Sequence, residues 1–135
     1  MKILIEIPGN PSSKTAQQKG EAVVHGRIHH YKKASVREAE RVLSWQLKRF
    51  VPDEPLTGPI RLRVEWFFEL KRQKREEWKI TRPDLDNLEK GLLDVMTDLG
   101  FWRDDSQITD KRTTKRVVPV GSGKLIIEIE EIQNE

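Results

Sequence analysis

Residues 59–70 alternate without a break. Ile60, Leu62, Val64, Trp66, Phe68 and Leu70 fall on one side, and Arg61, Arg63, Glu65 and Glu69 on the other. A period of two over this length predicts a half-buried strand. Ile3, Ile5 and Ile7 repeat the pattern at the start of the chain, and Pro8-Gly9-Asn10-Pro11 ends it. Between these strands the period changes to that of a helix. Ala39, Val42, Leu43, Trp45, Leu47 and Phe50 form an apolar stripe, and Trp45 and Trp66 are both expected in the core. Ser35 is placed to cap this helix, with Glu38 three residues on completing a capping box, and Pro52 bounds its far end. Residues 71–77 read as a charged loop. A second helix is predicted from about Asp84 to Gly100. Leu85, Leu88, Leu92, Val95, Met96 and Leu99 supply its buried stripe, and Gly100 is a natural C-cap. Residues 106–118 and 124–132 read as a closing hairpin that turns at Gly121-Ser122-Gly123.

This order of elements implies an α+β fold, with a two-layer mixed β-sheet packed against two helices. Without repeat or linker, residues 1–135 are expected to form a single domain. Residues 14–33 stand apart as a basic arm, with a short hairpin around Gly26. Its histidines, His25, His29 and His30, read as surface or DNA-contact residues, because adjacent His29 and His30 point in different directions and neither has an acid or cysteine beside it.

Charge then changes the picture. The 25 Lys and Arg against 22 Asp and Glu leave a formal net charge of +3, with a pI near 9.2. Many of the acids crowd into the C-terminus and the segment around residues 84–105, so the remaining surface is basic. The absence of cysteine excludes disulfides and thiolate zinc sites and suits a cytoplasmic location. The apolar start, broken at Glu6, is too short for a signal-peptide core. No apolar run is long enough to span a membrane.

The chemistry concentrates in Arg82-Pro83-Asp84-Leu85-Asp86-Asn87-Leu88-Glu89-Lys90 and in Phe101-Trp102-Arg103-Asp104-Asp105. Two carboxylates ~5 Å apart repel by about 3 kcal/mol at an effective dielectric of ~20. Gathering three of them calls for a compensating cation or strong hydrogen bonds. An all-oxygen set of this kind suits Mg²⁺ or Mn²⁺. Asp86 and Lys90 share a helix face, opposite the leucine stripe. Asp105 lies beyond a helix about 22 Å long, so it approaches Asp84 and Asp86 only if the following strand runs back along the helix. A plainer reading stays open: Asp84 as an N-cap, Asp86–Lys90 as a surface ion pair, and Asp94 and Asp98 as solvated side chains. Lys14, Arg27, Lys32, Lys33, Arg82, Lys111, Arg112 and Lys115 are candidate nucleic-acid contacts.

The two segments together resemble the RusA family of Holliday junction resolvases. The shared pattern, R-x-D-x-D-N-L-x-K followed by G-F-W-x-D-D-x-Q, is met by Arg82–Lys90 and by Gly100–Gln107 without a gap. The resemblance implies a homodimeric, Mg²⁺-dependent endonuclease of DNA recombination and repair. It would bind branched DNA and cut four-way junctions by symmetric paired phosphodiester hydrolysis. Asp84, Asp86 and Asp105 match the metal-binding catalytic acids and Lys90 the essential lysine; Asp104 belongs to the motif without an assigned role. Many relatives carry a Lys-x-Arg pair in the arm, whereas Lys14 is followed here by Thr15-Ala16-Gln17-Gln18. The alternatives are a non-catalytic basic DNA-binding or architectural protein and a less selective metal nuclease acting on flaps or forks.

Overall fold

The computed structural model describes residues 1–15, 19–24 and 26–133, with residues 19–24 and 28–32 described by their backbone alone. The alternating segments form β1 (Lys2–Pro8), β4 (Ile60–Glu69), β6 (Ile108–Val118) and β7 (Lys124–Glu131). The basic arm forms a hairpin of β2 (Lys19–Val24) and β3 (Arg27–Lys32), turning at Gly26 with φ 76°. The helices are α1 (Ala34–Leu47) and α2 (Leu85–Leu99). A two-residue strand, β5 (Glu77–Trp78), begins on the last residue of the expected charged loop.

The main sheet is mixed and runs β1-β7-β4-β6-β5, while β2 and β3 form a separate two-stranded sheet. One expectation fails here. β6 and β7 are not a hairpin, because β4 lies between them. The crossover through α2 lays β6 parallel to β4, and β7 then pairs antiparallel to the other edge of β4. Proximity in sequence reveals a turn but not a partner. A parallel pair requires a long crossover, and α2 supplies it.

Alternation along β4 divides the sheet into two faces. Ile60, Leu62, Val64, Trp66 and Phe68 join Ile5, Ile127 and Ile129, and α2 packs on them through Leu88, Leu92 and Met96. Leu70, expected in this row, lies past the end of β4 and is exposed. The other face carries the charged residues of β4. Phe67 is buried there beneath Arg116 and Lys124, whose charged groups lie 5.5 and 5.1 Å from its ring centre.

α1 departs from its predicted start. Lys33 is the N-cap, no side chain caps the helix, and Ser35 lies inside its first turn. Glu38 gives its carboxylate to Arg41, with bonds of 2.9 and 2.6 Å, so no capping box forms. Trp45 is also a correction. It is 79% exposed, whereas Val36 and Leu47 are the buried residues of α1. No described helix is long and apolar enough to cross a membrane.

Candidate active site

The site rests on the turn that follows α2. Gly100 adopts the left-handed conformation with φ 93°, and its N–H donates to the carbonyls of Met96 and Thr97. Phe101 and Trp102 then plunge into the core. The Trp102 indole donates to Thr97 Oγ1 at 2.8 Å, and the Leu56 N–H donates to the Phe101 carbonyl at 3.0 Å. Trp102 is therefore a core anchor. The next residues form a 3₁₀ turn over Asp105–Gln107 with a full capping box. The Asp104 carboxylate accepts from the Ser106 N–H at 3.3 Å and from the Ser106 hydroxyl. These bonds, the side-chain one foremost, hold the Asp104 carboxyl below its ordinary pKa. Gln107 Oε1 accepts from the Arg103 and Asp104 N–H groups at 2.9 and 3.0 Å. Its Nε2 donates to the Leu56 and Gly58 carbonyls at 2.8 and 3.1 Å. Each polar member of the turn is thus used in building it, except Asp105, whose exposed carboxylate has no partner among the described residues.

The other half of the site begins at the N-terminus of α2. Asp84 occupies the N-cap position with extended φ and ψ, yet its side chain makes no capping bond. The plain reading of Asp84 as a helix cap is therefore set aside. The segment before it is held by Lys115 on β6, whose ammonium donates to the Thr81 and Pro83 carbonyls at 2.8 Å each. Lys79 donates to Thr81 Oγ1 at 2.8 Å, and burial and the nearby Lys115 charge push its pKa down.

β6 does run back along α2. Lys111 reaches Glu89 at 2.6 Å, the Thr113 hydroxyl reaches the other Glu89 oxygen at 3.2 Å, and Lys115 reaches the segment before the helix. A cleft of about 410 Å³ lies between the two elements, lined by Asp86, Lys90, Asp94, Asp105 and Asp110 over a floor of Leu93 and Ile108. The reversal that the site needs is present, and it brings Asp105 beside the face of α2 that carries Asp86 and Lys90. Asp84 does not line this cleft. Among the described residues, Asp86 and Lys90 form no ion pair and no side-chain hydrogen bond, and Asp86 feels the charge of Lys111 without bonding to it. The hydrogen bond to Glu89, then the attraction of Glu89 and Asp86, pushes the Lys111 pKa up.

The donors facing the cleft are carboxylates, with neither histidine nor cysteine among them, which fits a hard divalent cation. Among the described residues no three acids stand close enough to form a finished cage. The carboxylates are spread around a space, and Asp86 and Asp105 retain their full capacity to accept. Asp94, expected to be solvated, and Asp110, not expected here, also line the cleft, but the Asp110 carboxylate is turned to Arg61 on the side of Arg112. Asp94 follows Asp86 and Lys90 at intervals of four, a spacing that does place it on their face. Asp110 had no such signal. A register irregularity between β4 and β6 at Ile60/Arg61 sets its position, and it pairs with Arg61 at 2.8 Å.

The candidate nucleic-acid contacts are dispersed. Arg82 is exposed just before the site. Lys111 is at the cleft but bound to Glu89, and Lys115 is engaged by backbone carbonyls. Arg112 points to the opposite face of the sheet, beside Arg61 and Arg63. Arg27 is exposed at the tip of the β2–β3 hairpin, and Lys14 and Lys33 are exposed at its base. The Lys32 side chain, His25 and the side chains of His29 and His30 lie outside the described residues.

This fold and cleft belong to a DNA-cutting enzyme. The chain is a member of the family described as Endodeoxyribonuclease RusA, whose family model matches residues 8–130. Among similar proteins is the crossover junction endodeoxyribonuclease rusA of Lactococcus phage r1t. It is 38% identical over 133 residues, covering 96% of this chain and 97% of the relative. Crossover junction endodeoxyribonuclease RusA of Escherichia coli K12 is 36% identical over 89 residues, 66% of each chain. The enzyme of that name from Enterobacteria phage 82 shows the same identity and coverage.

Proposed function

We propose that this chain resolves four-way DNA junctions as a homodimer, using Mg²⁺, by hydrolysing one phosphodiester in each of two strands. Asp86 and Asp105, with Asp84 at the helix start, are the metal-holding acids, and Lys90 is the catalytic cation. The observation that supports this most is the division of labour around the cleft. Asp104, Gln107, Glu89, Lys111 and Lys115 spend their polar groups on the structure, whereas Asp84, Asp86, Lys90 and Asp105 do not.

The Lys90 ammonium stands free to stabilise the negative charge that grows on the phosphate as water attacks phosphorus. Attack opposite the 3′-oxygen breaks the P–O3′ bond and leaves a 5′-phosphate and a 3′-hydroxyl. The carboxylates of Asp86 and Asp105 would hold a divalent ion, which when bound polarises the phosphodiester and activates water. Held by Lys115, the 81–83 backbone delivers Asp84 to the same end of α2. Paired cuts need two clefts, and a two-fold junction suits a two-fold protein. The cytoplasm, where a cysteine-free chain is at home, is the compartment assigned to this activity.

Synthetic four-way junctions, forks and duplexes incubated with the protein, with Mg²⁺ or with EDTA, test the reading. Junction cleavage in Mg²⁺ is expected to exceed cleavage of forks and duplexes. Asp86→Asn and Asp105→Asn should each lower cleavage by about 10²-fold or more while junction binding persists. Cleavage at the parent rate by either variant would overturn the site assignment, and equal cleavage of all three substrates would overturn the junction assignment.

A further inference from the structure

We propose that Trp78 and Ile80, on the edge of the main sheet, form an apolar wedge that engages nucleobases exposed at the branch point of the DNA. This rests on the junction-cutting reading above and adds the residues that tell a branch from plain duplex. β5 is an edge strand, and Trp78 on it is 62% exposed. Two residues on, Ile80 is 93% exposed, so the fold gains almost nothing from its side chain. Arg82, two further on, is exposed as well. The residues between them are used inward. The Lys79 ammonium lies 5.5 Å from the Phe68 ring centre and donates to Thr81 Oγ1, and Pro83 is buried. The backbone is fixed too. The Lys79 N–H donates to the Lys115 carbonyl at 3.2 Å, and the Lys115 ammonium holds the carbonyls of Thr81 and Pro83. Two apolar side chains are thus held out to solvent by a tied segment that leads into Asp84.

Single exposed apolar residues are ordinary, and the surroundings set this pair apart. The Arg116 guanidinium lies 4.3 Å from the Trp78 ring centre, which steadies the indole while more than half of the residue stays open. Lys71, Arg72 and Lys74 are exposed in the loop before β5, and Arg82 follows it. The two acids of the segment are answered locally: Glu76 lies 3.5 Å from Arg116, and Glu77 lies 3.0 Å from Arg75. Cations on both sides of an apolar centre match a nucleic-acid strand, with its charged phosphates and its stackable base faces. Aromatic side chains stack on bases, and aliphatic ones wedge between them. In a duplex those faces are covered by neighbouring pairs. At a branch point the stack is interrupted, so a wedge meets bases that cost least to displace. Reach agrees with this. Ile80 is four residues from Asp84. That is at most about 14 Å of chain, or about four nucleotide steps of ~3.4 Å. The wedge therefore falls within a few nucleotides of the bond that is cut.

Fluorescence anisotropy in EDTA, with a synthetic four-way junction and a linear duplex of equal length, reads the outcome. Trp78→Ala and Ile80→Ser are each expected to weaken junction binding by about fivefold or more and to leave duplex binding within about twofold. Trp78→Phe should restore junction affinity, because a phenyl ring also stacks. The parent chain should change the emission of 2-aminopurine placed at the branch point, and the variant carrying both Trp78→Ala and Ile80→Ser should not. Because both residues are exposed, thermal melts of the variants should match the parent. Junction binding at the parent level in both single variants, an equal loss on junction and duplex, or a 2-aminopurine change that survives the double variant would each overturn the proposal. So would variants that bind junctions normally and instead lose association between protein copies. The nuclease reading is judged separately. Asp86→Asn should keep the 2-aminopurine change and fail to cut. A parent chain that shows that change and cuts no junction would sink the nuclease reading and leave the wedge standing.

Discussion

Asp104 and Asp105 are neighbours of the same type with opposite employment. One closes a turn and the other is left free. Their motif was legible in the sequence, but this division was not, because it depends on which carboxylate meets the Ser106 N–H. The pH response of Asp104 follows from its bonds. Its pKa is depressed in the folded protein, so its contribution is in full force above the ordinary aspartate value. That contribution is lost as pH falls through the depressed value. NMR titration of the Asp104 carboxyl should show the lowered midpoint, and exchange of the Ser106 amide should quicken on the same acid limb; an ordinary midpoint would contradict the capping role. Lys115 gives a second contrast. The sequence presents it as a basic residue on a polar strand, a candidate phosphate contact, yet its donors face the carbonyls of Thr81 and Pro83. Lys115→Met is expected to lower the rate of cutting by about tenfold or more with little change in junction binding, the pattern of a lost positioning contact. A weaker complex with an unchanged rate would restore the phosphate-contact reading. Lys111 and Arg112 show why adjacency misleads: on a strand they point to opposite faces, one to the cleft and one away.

At the scale of elements, periodicity located β1, β4 and α2 closely, because each buries a single face and its pattern records that face. It failed for α1. The apolar positions of that helix cover more than the side that packs inward, so the stripe points to a core Trp45 although the residue faces outward. Capping signals were also ambiguous: Ser35 and Glu38 have the right spacing, but Arg41 captures Glu38. Gly100 does end α2 as its place in the sequence implies, and its need is physical. A left-handed conformation costs a residue with a Cβ roughly 1–2 kcal/mol. Gly100→Ala should therefore lower unfolding stability by about that amount in urea titration. Because the turn that presents Asp105 starts there, cutting should fall further than stability alone accounts for. An alanine variant with parent stability and rate would show that the turn tolerates other geometry.

For the whole molecule, the net charge is a modest +3, while the cleft gathers Asp86, Asp94 and Asp105 and the candidate DNA contacts outside it are Lys and Arg. Binding to junction DNA should therefore be steeply salt-dependent. With 6–10 phosphate contacts, affinity falls by roughly 10³–10⁵ between 50 and 200 mM salt. Electrophoretic mobility shifts across that range check it, and a flat response would contradict a phosphate-led grip. EDTA should stop cutting in the same samples without releasing the DNA. The topology was the least legible part of the fold, since strand order depends on contacts between distant segments. It has a consequence in time as well as in space. β1 is made before the other strands of the main sheet, and β7, its neighbour along the whole register from Lys2 to Pro8, is made after them. β4 likewise waits for both β6 and β7. A partly made chain therefore cannot complete its sheet, and pairing over so long a separation is intrinsically slow. The sheet that carries the cleft therefore closes only after β7 has been made, and a chain still short of that strand lacks the neighbour that both β1 and β4 require.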